Sequence, residues 1–282
     1  GVPLGDMMQA MERQVFQDES IHESEEYYIV QFLSDDRQGL EVEIYQSESL
    51  PSGFEPTAVA AAYDTFWDEF QRTDSPVYSL PNGPDNSWVA VHSLPFPPGR
   101  SKYAIKLEAG GETWNGRGDL NLKAFNPQYL ELSAIVLGVD PPEGIKAHQR
   151  HGVKFLPRPS FIFSKGEQIR VYLEYYNLHT GSSRSKSYKE YVDVIRYEGE
   201  RSIIGRITGK LVGLLTFGEK KENTTITLSF DREADRGKGP VAETFILDSS
   251  VLEPGQYRLL IESRDNAIGF WDNEAVLFGI VD

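Results

Sequence analysis

The 282-residue chain has 43 acidic and 28 basic residues, and its formal charge of −15 would repel a phosphate backbone, which excludes nucleic acid as an expected partner. Its 39% hydrophobic and 12% aromatic content excludes a disordered chain, and no apolar run approaches the roughly 18 residues of a membrane span. Cysteine is absent, which excludes disulfides, thiolate metal sites and cysteine nucleophiles, and the length suits about two domains with a core each.

The N-terminal stretch is predicted to lie outside the two domains. Residues 4–16 carry apolar side chains at helical spacing and predict a short amphipathic helix or the tail of a preceding domain. The acidic residues 17–26 indicate a solvated linker. We therefore assign residues 1–23 to an N-terminal helix and linker. The start at Gly1, without an initiator Met, is expected of a fragment of a longer protein or of a mature product.

The first half of the chain is predicted to be an antiparallel β-sandwich over residues 24–127. Its short stretches of β-branched and aromatic residues are bounded by turn residues and follow one another without clear helices between them. The predicted strands are 27–33, 40–46, 88–92, 103–108 and 113–125. The boundary with the next domain is predicted near Asn126-Pro127.

Residues 58–73 are open to two interpretations. Their large apolar residues fall at the spacing of one helix face, namely Val59, Tyr63, Phe66, Trp67 and Phe70. Pattern alone therefore favours a helix that begins after Pro56. Against this, Asp64-Thr65 can form a turn between two strands, and a hairpin would continue the surrounding run of strands.

The second half is predicted to be another sandwich, over residues 128–282. Its clearest strand lies within 165–178, where Ile169, Val171 and Leu173 alternate with polar and aromatic residues. This period of two places one set of side chains in a core and the other toward solvent or a second layer. Further strands are predicted at 130–138, 161–163, 188–197, 202–215, 224–230, 242–247, 257–264 and 275–281, and residues 139–150 are predicted to form a loop. The expected fold class is all-β, with two consecutive antiparallel, Ig-like β-sandwich domains and a short N-terminal helix or tail.

Two histidines are weak candidates for a metal site. His148 and His151 lie three residues apart in the predicted loop, which supplies half of a possible ligand set. No third ligand follows at the spacing of a zinc protease motif, so surface histidines are the favoured interpretation. No metal or other cofactor is expected.

Four tryptophans are candidate ligand-binding residues. Sandwich domains often present aromatic platforms to sugar rings, and the candidates are Trp67, Trp88, Trp114 and Trp271. The more ordinary interpretation is that they pack in cores and at sheet edges. Turn residues beside Trp114 and Trp271 favour loops, where such a platform would lie.

No motif in the sequence indicates a reaction. The chain has no cysteine, no Gly-x-Ser-x-Gly nucleophile elbow, no phosphate-binding loop and no complete set of metal ligands at a recognised spacing. We therefore expect no catalytic residue and no enzyme activity. A pair of carboxylates in a cleft, as in glycoside hydrolases, is the remaining route to catalysis because it leaves no linear motif.

Several segments together resemble the C-terminal region of the GWxTD-domain proteins of bacteria. They are LELSAI at 130–135, PSFIFSKGE at 159–167, VYLEYYNL at 171–178 and LEPGQYRL at 252–259. The likeness covers residues 130–282 and, more thinly, 27–125, and the motif that names the family is absent. The resemblance implies a β-sandwich architecture and favours the hairpin at 58–73. It transfers no functional residue.

The expected function follows from these features taken together. The resemblance implies an envelope-associated, periplasmic or exported bacterial protein without an assigned reaction. We expect a non-catalytic structural or interaction module whose partners are other protein domains. Carbohydrate binding through exposed aromatic residues is the alternative, and a glycoside hydrolase with paired carboxylates is the third possibility.

Overall fold

The computed structural model describes residues 21–24, 26–34, 39–80, 87–180, 185–197, 223–234 and 239–282. The chain is all-β: strands make up most of these ranges, and the only helical element within them is a single 3₁₀ turn at Ser249–Val251. The predicted fold class is therefore confirmed. The predicted helix at 4–16 and the predicted strand at 202–215 lie outside the described residues.

The first sandwich consists of two sheets that pack face to face. One sheet has the strand order β1-β9-β8-β4-β5 and the other β2-β3-β7-β6. The strands are β1 (Ile21–Glu23), β2 (Glu26–Leu33), β3 (Leu40–Ser49), β4 (Thr57–Tyr63), β5 (Glu69–Ser75), β6 (Val77–Ser79), β7 (Ser87–Phe96), β8 (Gly99–Ala109) and β9 (Glu112–Leu122). Neighbouring strands are antiparallel except β1, which runs parallel to β9. Alternate residues of both sheets, such as Val42 and Ile105, meet in the core.

The second sandwich follows a strand-free connection at 123–130. One sheet has the order β10-β15-β11-β13-β12 with β18 on the other side of β15, and the second has the order β14-β20-β19-β16-β17. The strands are β10 (Glu131–Leu132), β11 (Val136–Val139), β12 (His148–Arg150), β13 (Val153–Pro157), β14 (Ile162–Ser164), β15 (Gln168–Tyr176), β16 (Lys186–Arg196), β17 (Asn223–Ala234), β18 (Val241–Asp248), β19 (Gly255–Asp265) and β20 (Trp271–Val281).

Strand β15 is buried on both faces. Val171 and Leu173 are 0% exposed and point into the second sandwich, as the alternation predicts. Tyr172 and Glu174, which point the other way, are also 0% exposed. The sequence left open whether this face meets solvent or a second layer. In the structure it meets a second layer, which is the first sandwich.

The core of the second sandwich continues into the first. Its largest cluster of buried residues contains Tyr28 and Phe32 of β2 and Tyr45 of β3 together with Phe155 and Tyr172 from the second sandwich. The rings of Tyr28 and Phe161 pack edge to face at 4.7 Å, and Tyr28 donates a hydrogen bond to the carbonyl of Ile135. The two domains therefore share a continuous buried apolar core at this part of their contact.

Residues 58–72 form the hairpin and not the helix. Strands β4 and β5 pair in antiparallel register, and the Asp64 carboxylate accepts hydrogen bonds from the backbone N–H groups of Phe66 and Asp68 in the turn between them. The turn extends beyond the predicted Asp64-Thr65, since the second strand begins at Glu69, and Phe66 is left 82% exposed in the turn. Pairing with β8 buries the alanines of β4, which outweighs the helical spacing of the larger residues.

Two local predictions are wrong. The expected linker at 17–26 contains strand β1, in which His22 lies against Trp114 and Glu112. The sequence did not reveal this strand because three residues are too few to show a period of two. The expected loop at 139–150 ends in strand β12, which pairs with β13. The turn of that hairpin is formed by His151 and Gly152, which both have positive φ. The strand was not predicted because its residues are polar.

Leu173→Ala tests the register of β15. Leu173 is 0% exposed in the shared core, so truncation leaves a cavity and should lower the free energy of unfolding by about 2 to 5 kcal/mol. Urea denaturation measures this loss. The matched control is Phe66→Ala, which removes a larger side chain from an 82% exposed position and should change stability by less than about 0.5 kcal/mol. Equal losses in the two variants would contradict the register.

Candidate functional site

The chemically richest site is a cluster of buried charges at the junction of the two sandwiches. Strand β3 alternates between Val42 and Ile44, which face the core of the first sandwich, and Glu43 and Tyr45, which face the second. Strand β15 presents Glu174 toward them by the same alternation. We refer to Glu41, Glu43, His148, Arg150, His151 and Glu174 as the junction cluster.

Arg150 lies at the centre of the junction cluster and is only 7% exposed. Its Nη1 donates to Glu41 Oε2 at 2.7 Å and to Glu43 Oε1 at 3.1 Å, both in the first sandwich. Its Nε donates to Glu174 in the second sandwich. The guanidinium also lies over the ring of Phe32, with 3.9 Å between Cζ and the ring centroid. One cation therefore joins carboxylates from both domains.

The two histidines of the cluster each face one carboxylate. His148 Nε2 lies 3.1 Å from Glu43 Oε2, across the junction, and His151 Nε2 lies 3.4 Å from Glu174 Oε1 within the second sandwich. The His148 side chain is 11% exposed and that of His151 is 24% exposed. His148 is therefore buried and not the surface histidine that the sequence favoured, whereas residue 151 as a whole is exposed, as that interpretation expects.

Three tyrosines complete the hydrogen bonding of the carboxylates. Tyr45 donates to Glu43 Oε2 at 2.5 Å, and Tyr172 and Tyr176 donate to the two oxygens of Glu174 at 2.8 Å each. Burial and the neighbouring carboxylates raise the pKa of all three phenols, which keeps them protonated as donors. The Tyr176 hydroxyl also accepts from the Leu33 N–H at 3.1 Å, a further bond between the domains.

The partners of Glu43 and Glu174 keep both groups ionised despite burial. Burial alone raises the pKa of Glu43, but the contact with His148, the charge of Arg150 and the bond from Tyr45 outweigh it and lower the pKa. The pKa of Glu174 is lowered in the same way, against burial, by His151 and Arg150. Burial opposes the charge of Arg150, yet Glu174, Glu43 and Glu41 raise its pKa. The cluster is therefore a set of fixed charges suited to holding the domains together.

A second polar group lies inside the second sandwich. Glu190 on β16 is 0% exposed, accepts a hydrogen bond from Tyr175 and has a pKa that is raised chiefly by burial. Glu243 on β18 accepts from Tyr188 and adds to the pKa shift of Glu190 by its charge. A glycosidase carboxylate must contact its substrate, and Glu190 has no exposed surface through which a substrate could reach it.

A third ionisable group lies where the connection between the domains meets β20. The pKa of Glu274 is raised to about 7, first by burial and then by the charge of Asp272, against the opposing effects of a backbone hydrogen bond from Ala275 and of the charge of Lys123. Tyr28 of the first sandwich is close enough for the charge of Glu274 to help raise the pKa of its phenol. Asp272 itself accepts a hydrogen bond from the Leu132 N–H at 2.9 Å.

The four candidate tryptophans do not converge. Trp88 and Trp114 are half-buried and pack against one small apolar cluster of the first sandwich. Trp67 lies in the β4–β5 turn with a positive φ, beside Tyr63 and under the ammonium group of Lys102. Trp271 is 64% exposed at the start of β20 in the other domain. They cannot form one platform, although Trp271 alone presents its indole to solvent.

No metal site is evident around His148 and His151. Within the described ranges, no three side chains of His, Asp and Glu converge in a way that could hold a metal ion.

The described residues also include no helix long and apolar enough to cross a bilayer.

The sequence contains a signal for the junction cluster. Glu43 and Glu174 both lie in the middle of apolar strands, each flanked by tyrosine at the next position on the same face. A carboxylate in such a position must be solvated or paired. That pattern points to a buried polar contact, although it does not identify Arg150 as the partner.

No protein-family model and no curated protein matches the sequence. Two similar solved structures are described as "BspA_C_WT" and as the C-terminal domain of the AgI/II polypeptide BspA of Streptococcus agalactiae. Each is 13% identical, with a TM-score of 0.24, and the match covers 90% of this chain and 99% of the other. A likeness at this level supports no inference about function.

Arg150→Met tests whether the cluster holds the domains together. Met keeps much of the side-chain volume but leaves Glu43 and Glu174 buried without their shared cation, so the free energy of unfolding should fall by about 3 to 5 kcal/mol. Adding Glu43→Gln and Glu174→Gln to this variant should restore much of the loss, because no buried charge then remains unpaired. Chemical denaturation measures both effects.

The control for this prediction is Arg72→Met. Arg72 pairs with Glu69 on the surface, with its side chain 58% exposed, and such a pair contributes little. We expect a change below about 1 kcal/mol. A similarly small loss in Arg150→Met would mean that the cluster does not stabilise the junction.

Proposed function

We propose that the chain is a non-catalytic structural and interaction module, in which two β-sandwiches form one unit and dock onto another protein domain. The observation that carries this proposal is the core shared between the domains, in which β2 and β3 pack against β15. An apolar joint reinforced by buried ion pairs opposes relative motion of the domains. A rigid two-domain unit is suited to spacing or positioning the proteins it binds.

The use of the buried ionisable groups supports the absence of a reaction. Glu43 and Glu174 have side chains 3% and 0% exposed, and each is occupied by Arg150, a histidine and at least one tyrosine. Catalytic acids and bases must reach a substrate within hydrogen-bond distance. Groups committed to each other inside a domain contact serve structure instead.

The surface proposed for docking is an exposed apolar patch beside the connection between the domains. Tyr129, Ile268, Phe270 and Trp271 are 42%, 42%, 43% and 64% exposed. The rings of Tyr129 and Phe270 pack edge to face at 4.7 Å. Exposed apolar side chains grouped in this way are typical of protein interaction sites. We call these four residues the Trp271 patch.

The cellular setting is proposed from the sequence resemblance alone. The GWxTD-like segments imply an envelope-associated, periplasmic or exported bacterial protein, and we propose that setting for this chain.

Carbohydrate is the second candidate ligand. The observation that favours it is the 64% exposure of Trp271. Aromatic faces of this kind stack on sugar rings. The patch would then bind a glycan instead of a protein.

Photo-crosslinking tests the docking surface. A photoreactive phenylalanine analogue at position 271 should give discrete crosslinks to a protein when the chain is expressed in its native cell. The same analogue at position 66, which is 82% exposed in the other domain, should not give those products. Identical crosslinks from both positions would contradict a specific surface at the Trp271 patch.

A glycan panel separates the remaining functions. We expect the full chain to retain no glycan and to release no product from glycoside substrates. Retention that is lost in Trp271→Ala would favour carbohydrate binding. Turnover that disappears in Glu190→Gln while the protein stays folded would overturn the non-catalytic proposal.

A further inference from the structure

The turn between β4 and β5 groups four aromatic side chains. Phe66 in the turn is 82% exposed, and Phe70 at the start of β5 is 45% exposed. Tyr63 and Trp67 are half-buried and pack against each other, with 5.2 Å between their ring centroids. Exposed apolar side chains that are grouped, rather than scattered singly, mark interaction surfaces. We call these four residues the hairpin tip.

Hydrogen bonds hold the turn in one conformation. The Asp64 carboxylate accepts from the N–H groups of Phe66 and Asp68 at 2.8 and 2.9 Å. The Asp64 N–H in turn donates to the Asp68 carbonyl at 3.0 Å. An aromatic side chain on an ordered turn loses little conformational entropy when it binds. The exposed ring of Phe66 is therefore presented by a backbone that is already in place.

Two departures from regular backbone geometry occur at the hairpin tip. Trp67 has a φ of 69°, in the left-handed region that a bulky side chain rarely adopts. Phe70 is the extra residue of a β-bulge, because residues 69 and 71 pair with the consecutive residues 63 and 62 of β4. Strained residues and bulges are found where a side chain must be held in a particular direction for function. In this bulge the Phe70 ring packs on Phe96 at 5.8 Å and still remains accessible.

The hairpin around these rings is acidic. Residues 63–72 contain three acids, Asp64, Asp68 and Glu69, and one base, Arg72, so their formal charge is −2. Arg72 pairs with Glu69 at 2.6 Å, which leaves the excess on Asp64 and Asp68. A surface of one sign selects partners of the opposite sign and accelerates their approach. A partner of the hairpin tip should therefore be basic where it meets this rim.

Phe66, and not Trp67, is the ring that a partner meets first. Lys102 of β8 places its ammonium group 4.9 Å from the centroid of the Trp67 ring and also pairs with Asp119. One face of the indole is therefore occupied, and Tyr63 lies beside it. A sugar platform needs an open aromatic face, whereas a projecting phenylalanine suits a pocket that encloses it.

We propose that the hairpin tip is a second docking surface of the module, and that it binds a protein whose apolar pocket takes the Phe66 ring and whose pocket rim carries basic residues. Phe66 is the anchor, Phe70 widens the apolar contact, and Asp64 and Asp68 face the basic rim. This surface lies on the first sandwich and does not depend on the Trp271 patch of the second. The module then has one docking surface on each domain.

Charge disfavours other occupants of the hairpin tip. A second copy of the chain would bring its own formal charge of −15, and two such chains repel each other. An anionic lipid surface would repel the acidic hairpin in the same way. A basic protein surface is the partner that both the charge and the projecting aromatic ring fit.

Crosslinking and binding together test the proposal. A photoreactive phenylalanine analogue at position 66 of the full chain should give discrete protein adducts in the native cell, and these should differ from the adducts formed from position 271. The crosslinked peptide should lie in an apolar pocket with Lys or Arg at its rim. The protein so identified is then purified, and its affinity for the purified chain is measured at low and high salt.

Variants of the chain assign that affinity to the hairpin tip. Phe66→Ala should weaken binding by about 30-fold or more, as expected for a hot-spot anchor. Asp68→Lys should slow association by about tenfold and reduce the dependence on salt. The matched control is Phe54→Ala, which removes another exposed phenylalanine, one that lies against Gly110 at the opposite end of β4. It should leave the affinity within about twofold of the parent.

Four results would overturn the proposal. The first is the absence of a discrete adduct from position 66, and the second is a purified partner that binds Phe66→Ala as well as the parent. The third is binding that neither salt nor Asp68→Lys changes, which contradicts the basic rim. The fourth is a different occupant: either vesicles of equal parts phosphatidylcholine and phosphatidylglycerol or a second copy, seen by sedimentation equilibrium, whose binding is lost in Phe66→Ala. The Trp271 patch has its own crosslinks, so none of these results decides its role.

Discussion

The pairing of the Arg150 guanidinium fixes the relation between the two domains. A cation with 7% exposure must be matched by carboxylates, since an unpaired buried charge costs several kcal/mol. The carboxylates come from Glu41 and Glu43 in one sandwich and from Glu174 in the other, so the charge is satisfied only when the domains dock in one orientation. Apolar burial supplies most of the attraction, and this set of ion pairs selects the geometry in which that burial occurs.

Strand β15 makes this arrangement possible because it has no solvent face. Val171 and Leu173 fill the interior of the second sandwich, whereas Tyr172 and Glu174 meet the first. The same nine residues therefore form part of two contacts, and a change of register by one would exchange the apolar and the charged sets. Folding of the second sandwich and its docking onto the first depend on one alternation of side chains.

Much of the fold could be predicted from the sequence, because alternation over five or more residues is a strong signal for a strand. The strand predicted within 165–178 could be assigned without knowledge of its partner strands. The site could not be predicted in the same way: Arg150 and Glu43 are 107 positions apart, and periodicity gives no information about pairs at that separation. His148 lies in a strand of three residues, which is too short to show a period of two in the sequence. At 58–72 the helical spacing was misleading, since pairing of the alanines with β8 decided the structure.

The location of the Trp271 patch relates the junction to recognition. Tyr129 belongs to the connection between the domains, and its ring packs on Phe270 of the second sandwich. At the start of the same connection, the Lys123 side chain pairs with Glu131. The backbone N–H and carbonyl of Lys123 both form hydrogen bonds with the side-chain amide of Gln31 in the first sandwich. The docking that Arg150 fixes therefore also fixes where Tyr129 lies relative to Phe270. A ligand that binds this shape of the patch would, by linkage, also favour the docked arrangement of the two sandwiches.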